Sequence, residues 1–357
     1  MKKNGYRFVL LSALFFLIVA CSNNENEAGD QEQGEEETDG ATEALEIYTT
    51  IFPLEDFANK IGGEYVHVTN LVPVGADAHT FEPTARDMIS VAEGDAFIYN
   101  GAGLEGFAAA LIDTINGETV AIVEAAKNID LIDTSDTEPS EEGHAHEEGE
   151  SHAHEEEHAH EGEDAHAHEE EHAHEGEDAH GHSHDQDPHV WLDPILSISM
   201  AEEIKNALIE LMPEQEETFS SNFAELKAEL EALDAEFTAM VEQAEKDTFL
   251  VSHAGYGYWE RRYGLTQVGI SGISPTSEPS QRELQRIIEF AKENNLQHVM
   301  FEQNISTKVA EVVTNEVGAE PLYLHNLEAL VEEDVQQEED YFSLMRQNIE
   351  SLRTALQ

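Results

Sequence analysis

Thirteen of the 19 histidines crowd between Glu141 and Asp187: His144, His146, His152, His154, His158, His160, His166, His168, His172, His174, His180, His182 and His184. The other residues of this stretch are almost all Glu, Asp, Ala and Gly. Neutral imidazole is a good donor to zinc, copper and nickel, and carboxylates add charge and further donors. The stretch holds no Leu, Ile, Val, Phe or Trp, so it has nothing with which to bury a core and is expected to be disordered. It reads as a many-site metal collector of low specificity. The fourteen residues His152–Ala165 recur letter for letter at His166–Ala179, the mark of a tract expanded under loose constraint on length.

The letters His154–His158 and His168–His172 match H-E-x-x-H, the signature of zinc metalloproteases. That chemistry needs a stable helix with both histidines on one face and the glutamate beside a metal-bound water. A repeat with no apolar face cannot supply one, so both matches are accidental and a hydrolase is set aside.

Three further histidines stand in different company. His79 lies in Val74–Pro83, after a strand-like run, where Gly75 permits a tight turn and Thr84 with Asp87 can cap a helix. His189 is framed by Asp187, Pro188, Trp191 and Asp193. His253 closes the run Phe249–His253 and precedes Ala254–Trp259. The C-terminal ends of strands are the usual ligand edge of an α/β fold. Three such histidines beside a metal-collecting stretch point to one specific metal site. His67, inside an apparent strand, and His298, ahead of another, read as structural.

The N-terminus carries Lys2, Lys3 and Arg7 before an apolar run, Phe8–Val19, that is short for a membrane span. It ends at Ile18-Val19-Ala20-Cys21, the pattern of a bacterial lipoprotein cleavage site. Residues 1–20 are therefore expected to be a signal peptide, Cys21 a lipidated anchor and residues 21–44 a solvated tether. Cys21 is the only cysteine, which leaves no thiol for a disulfide, a thiolate metal site or a nucleophile. A formal net charge of -60 repels phosphate backbones and excludes nucleic acid as a partner, while it suits cations. Single-membrane anchoring on the outer cell surface fits this leader and tether.

The elements that must position the three histidines are readable. Strands are expected at 46–51, 66–72, 96–101 and 120–123, then at 248–253, 267–270, 298–303 and 321–325. Helices fall between them, which calls for parallel sheets. Ser280 with Glu283 forms a capping box, Asp193-Pro194 starts a helix, and Gly62 and Gly318 stop two others. Phe219, Phe223, Leu226, Leu230, Leu233, Phe237 and Met240 repeat at helical spacing. The pattern suits a coiled-coil seam. Its place between the two strand groups favours a strut within one chain, roughly 50 Å long if it runs from 214 to 246 at ~1.5 Å per residue. The expected fold is α/β: two lobes, each a small parallel sheet with flanking helices, joined by one long interlobe helix, with a disordered His/Glu-rich loop. The lobes are assigned to 45–212, with 141–187 as the loop, and 248–357, with the linking helix at 213–247. A monomer is expected.

The combination of Thr50–Leu54 with Phe57, Pro73–His79 with Glu82-Pro83, Tyr99–Glu105, His189–Pro194, His253–Tyr258, Gly272–Ser274 with Glu278–Ser280, and Tyr341–Met345 with Asn348 resembles the solute-binding lipoproteins of bacterial zinc and manganese ABC uptake systems, the cluster A-I group. The likeness runs from about residue 45 to 357, interrupted only by the histidine-rich stretch. It implies that His79, His189 and His253 are metal ligands. Manganese members tend to carry Glu where His253 stands, and three imidazoles suit zinc. Glu328 matches the glutamate of zinc members and would complete a tetrahedral site with bonds near ~2.0–2.2 Å. Water is the other candidate for that place. His325 falls where relatives more often have Asn and would stand behind the ligands or compete with them. Ala78, where relatives carry a polar residue, offers no donor. The resemblance further implies Zn2+ as cargo and an ABC permease with its ATPase as partners. A manganese receptor of the same family, or a surface zinc buffer or adhesin working through the histidine-rich loop, are the alternatives.

Overall fold

Among the described residues eight short strands, rich in β-branched and aromatic residues, form where the sequence places them, within a residue or two at each end. The computed structural model describes residues 44–134, 186–305 and 308–357. The expected signal peptide, Cys21, the tether up to residue 43 and the thirteen clustered histidines lie outside the described residues.

The first sheet holds β1 (Leu45–Thr49), β2 (Val66–Asn70), β3 (Ala96–Tyr99) and β4 (Ala121–Glu124) in the order β2-β1-β3-β4, all parallel. Helices α1 (Phe52–Gly62), α2 (Ala85–Ala92) and α3 (Ala108–Ile115) make its crossovers. The second sheet repeats this plan with β5 (Thr248–His253), β6 (Thr266–Ser271), β7 (His298–Glu302) and β8 (Glu320–Leu324) in the order β6-β5-β7-β8. Its crossovers are α6 (Gly257–Tyr263), α7 (Gln281–Glu293) and α8 (Lys308–Val317). A short helix, α9 (Glu332–Gln336), and a longer one, α10 (Tyr341–Ala355), follow. In both sheets the strand order reverses at one place, between β1 and β3 and between β5 and β7. Such a switch point opens a crevice at the strands' carboxyl ends.

Helix ends obey local chemistry. Thr84 and Ser280 each accept the backbone N–H three residues on, and Asp87 and Glu283 return the bond. Asp193 accepts from Ile195 and Leu196 and starts α4 (Pro194–Leu211), with Pro194 at a position that needs no N–H. One expected stop moves by a residue. Gly62 is the last residue of α1, and Gly63, at φ 56, makes the left-handed exit. Gly318 ends α8 as expected, at φ 74.

The long helix α5 (Glu216–Val241) has 26 residues, about 39 Å, and is shorter than the sequence pattern suggests. A 3-10 turn, Pro213–Gln215, precedes it. Beyond it the Glu245 and Lys246 N–H groups turn to the carbonyl of Leu356 and lead the chain into β5. Its apolar seam is a strut within the chain. Phe219 meets Tyr65 edge-on and Asn222 binds the Ile61 carbonyl, both in the first lobe. Farther along, Phe237 stacks on Tyr263 at 4.1 Å and leans on Trp259 in the second. One buried cluster runs through both lobes along this helix.

Candidate metal centre

The crevices of the two sheets face each other, and four donor side chains meet between them. His253 is the last residue of β5. His79 sits in the loop after β2, His189 just ahead of α4, and Glu328 in the loop between β8 and α9. One donor atom from each lies within 4.8 Å of the other three. His79 Nε2 and His253 Nε2 are each 3.2 Å from His189 Nε2. Glu328 Oε1 stands 3.3 Å from His79 Nε2 and 3.6 Å from His189 Nε2. Donors bound at about 2.0–2.1 Å to one tetrahedral zinc stand roughly 3.3–3.4 Å apart, so the spacing fits such an ion.

Two carboxylates fix which nitrogen faces inward. His189 Nδ1 is 2.8 Å from Asp187 Oδ1, and His253 Nδ1 is 2.7 Å from Glu302 Oε2. An ionised carboxylate only accepts, so each Nδ1–H donates and each Nε2 turns a lone pair into the centre. Lone pairs 3.2 Å apart repel unless a metal ion or a proton lies between them. Glu302, at the end of β7, also accepts from the His253 N–H, the Ser252 hydroxyl and the Tyr256 hydroxyl. Asp187, Glu302 and Glu328 are all buried. Among the described residues the ion-pair partners of these carboxylates are histidine rings, with no Lys or Arg. A buried anionic cluster of this kind is costly unless a cation joins it.

The titration behaviour agrees. Burial opposes charge on His189, but its bonds to Asp187 and Glu328 outweigh that and push it up to about 10. Burial likewise works against the Glu328 carboxylate, yet His79 and His189 hold it well below the usual carboxylate range. Asp77 is pushed up by burial and by the Glu328 charge. Without metal, a proton takes the cation's place at His189.

The second lobe grips the His189 segment. Tyr258 donates to the Asp187 carbonyl, Tyr341 to that of Trp191 and the Trp259 indole to that of Leu192. The Trp191 indole in turn donates to the Asn326 carbonyl. From the first lobe, Asn100 donates to the Pro188 carbonyl while buried Glu105 accepts from Thr50 and from the Asn100 and Gly101 N–H groups. His79 is held more lightly. Its N–H donates to Asp77, its Nδ1 has no hydrogen-bond partner among the described residues, and its loop is tied to the Glu328 loop by the Gly75 N–H on the Leu330 carbonyl.

Of the expected site residues, His79, His189, His253 and Glu328 converge. His325 does not join them: its Nε2 faces Asp334 and its Nδ1 accepts the Leu327 N–H. Ala78 is buried and offers no donor. His67 and His298 stand apart from the cluster, in β2 and β7. The clustered histidines and Cys21 lie outside the described residues. Sequence reasoning missed the roles of Asp187, Glu302 and Tyr256. Asp187, counted with the histidine-rich stretch, is fully buried beside His189, and its N–H donates to the Ile132 carbonyl. The D-x-H spacing was its one local signal.

Two parallel-sheet lobes braced by a single helix, with a buried set of metal donors in the cleft, define the solute-binding class with a metal-ion site. The chain belongs to the ZnuA family, described as zinc-uptake complex component A periplasmic, whose sequence model matches residues 47–355. It is 32% identical over 353 residues to the zinc-binding lipoprotein AdcA of Streptococcus pneumoniae serotype 4, covering 99% of this chain but 61% of that relative. It is 31% identical over 347 residues to the high-affinity zinc uptake system protein ZnuA of Bacillus subtilis, covering 97% of this chain and 96% of that one. The Zn(II)-bound ZnuA-like domain of pneumococcal AdcA superposes with a TM-score of 0.66 at 28% identity, over 88% of this chain and 99% of that domain.

Proposed function

We propose that this protein is an extracytoplasmic zinc receptor. It captures Zn2+ at His79, His189, His253 and Glu328 and delivers it to a membrane permease driven by an ATPase. The observation that carries the reading is the convergence of three imidazole Nε2 atoms and one carboxylate oxygen within 4.8 Å in a buried cleft. Three nitrogen donors favour zinc over manganese, which prefers oxygen. Four protein donors leave no open position for a reacting water, which speaks for binding rather than hydrolysis. The grip of both lobes on the His189 segment supports a small movement on release rather than a wide hinge.

In this reading Cys21 carries the lipid anchor, the protein works as a monomer on the outer surface, and the histidine-rich stretch raises local zinc concentration. The Asp133–Gln186 bridge holds the chain together immediately before Asp187, whose carboxylate binds His189.

The test is a competition titration with zinc and manganese on the full chain and on His253→Ala. A chelator holds free metal too low to load weak sites. One tight zinc site, absent from the variant and indifferent to manganese, supports the receptor. Absence of a tight site from the full chain rejects it. Deleting residues 141–184 should leave the tight site intact and slow uptake when zinc is scarce; unchanged uptake would reject the collector role.

A further inference from the structure

Glu328 stands midway along the loop from His325 to Val331, and one atom closes that loop. Asp334 Oδ2 accepts from the His325 ring at 3.0 Å and from the Val331 N–H at 2.8 Å. Within the loop, His325 Nδ1 accepts the Leu327 N–H at 2.9 Å, so the ring proton is on Nε2 and is donated to Asp334. Asn326 Oδ1 accepts the Glu328 N–H, and Leu327 takes a left-handed φ of 63. From α10, Asn348 brackets His325, accepting its N–H at 2.7 Å and donating to its carbonyl at 2.8 Å. The Glu328 carbonyl accepts from Phe52 of the first lobe. His325 is 4% exposed and both its ring nitrogens are engaged, which removes it as a rival ligand.

We propose that His325 and Asp334 are a positioning pair, a clasp that closes the 325–331 loop and presets Glu328 as the fourth donor. The proposal rests on the zinc reading above. A carboxylate on a free loop would have to be ordered at the moment of capture, and that entropy would be subtracted from affinity. The clasp orders it during folding. Partners behind a metal ligand commonly govern affinity by 10- to 100-fold.

The experiment uses the full chain with His325→Ala, Asp334→Ala, His325→Asn and Glu328→Ala, and the double variant of His325→Ala with Glu328→Ala. Zinc affinity is read by chelator competition and coordination by the visible spectrum of one equivalent of Co(II). Circular dichroism and melting of the metal-free variants check the fold. The expected result is a zinc affinity about 10- to 100-fold weaker in His325→Ala and Asp334→Ala, with fainter cobalt bands as water enters. His325→Ala should cost nothing further once Glu328 is already alanine. Asn can still accept the Leu327 N–H but cannot reach Asp334, so His325→Asn should fold and lose part of the affinity. Wild-type affinity and spectrum in the folded His325 variants, or an equal loss with and without Glu328, would overturn the clasp. A wild-type chain with no single tight site would instead sink the receptor reading.

Discussion

His189 and His253 hold their Nε2 atoms 3.2 Å apart while the far nitrogen of each ring is bound to a buried carboxylate, Asp187 at 2.8 Å and Glu302 at 2.7 Å. The two pairs come from different parts of the fold. Asp187 and His189 are neighbours in one tight segment, whereas His253 and Glu302 meet because β5 and β7 are adjacent at the switch point of the second sheet. Local turn chemistry builds one arm of the centre and sheet topology builds the other.

Replacing Glu302 by Gln keeps an oxygen for either Ser252 and His253 or Tyr256, which use different oxygens of the carboxylate, and removes the charge that makes His253 a strong donor. Zinc affinity should fall about 10- to 100-fold. A chelator competition on the folded variant gives the answer, and an unchanged constant would mean that Glu302 serves packing alone.

Metal-free stability should depend on pH through His189. Its proton is held up to about 10, against an ordinary 6.5, so folding favours proton uptake. The stabilisation is whole below about pH 6.5 and drains away as pH rises through 10. Glu328 works in the other direction: lowered from 4.5, its contribution is present above that value and is lost as pH falls through the depressed one. Chelated wild-type protein should therefore exceed Asp187→Asn in melting temperature most clearly between about pH 4.5 and 6.5, with the gap closing toward pH 10. Parallel melting curves across that range would contradict the assignment.

The strut can be tested at Phe237, which is fully buried between Tyr263 and Trp259. Phe237→Ala should cost about 3–5 kcal/mol in chemical denaturation. Because one core spans both lobes, the transition should stay single; two separated transitions would show that the lobes unfold independently.

Much of this architecture is legible in the chain. Runs such as Phe249–His253 announce strands by composition, and Thr84, Asp193 and Ser280 announce helix starts by short-range bonds. His79, His189 and His253 stand out by their place at strand ends and turns. What escapes is whatever depends on contacts remote in sequence. Glu302 is 49 residues from His253 and only the β5–β7 pairing joins them. Beyond α5, Glu245 and Lys246 donate to the Leu356 carbonyl, a contact that no pattern near residue 241 reveals. Asp187 is hidden by composition, since a residue flanked by Asp, Gln and His looks like more of the same acidic tract. Glu328 was reached through family resemblance, because its loop depends on Asp334 and on Leu327 in a conformation disfavoured by roughly 1–2 kcal/mol.

Zinc capture should release a proton. At pH 7.5 the metal-free site keeps one on His189, because Asp187 and Glu328 hold it there against burial. Zinc needs that lone pair, so the proton must leave as the metal enters. Calorimetric titrations in two buffers of different ionisation enthalpy should differ by close to one proton per tightly bound zinc. Apparent affinity should rise about tenfold per pH unit between roughly pH 7 and 9. Identical heats in both buffers for the first equivalent of zinc would mean that His189 is already neutral, and that the charge of Asp187 and Glu328 is balanced by something other than its proton.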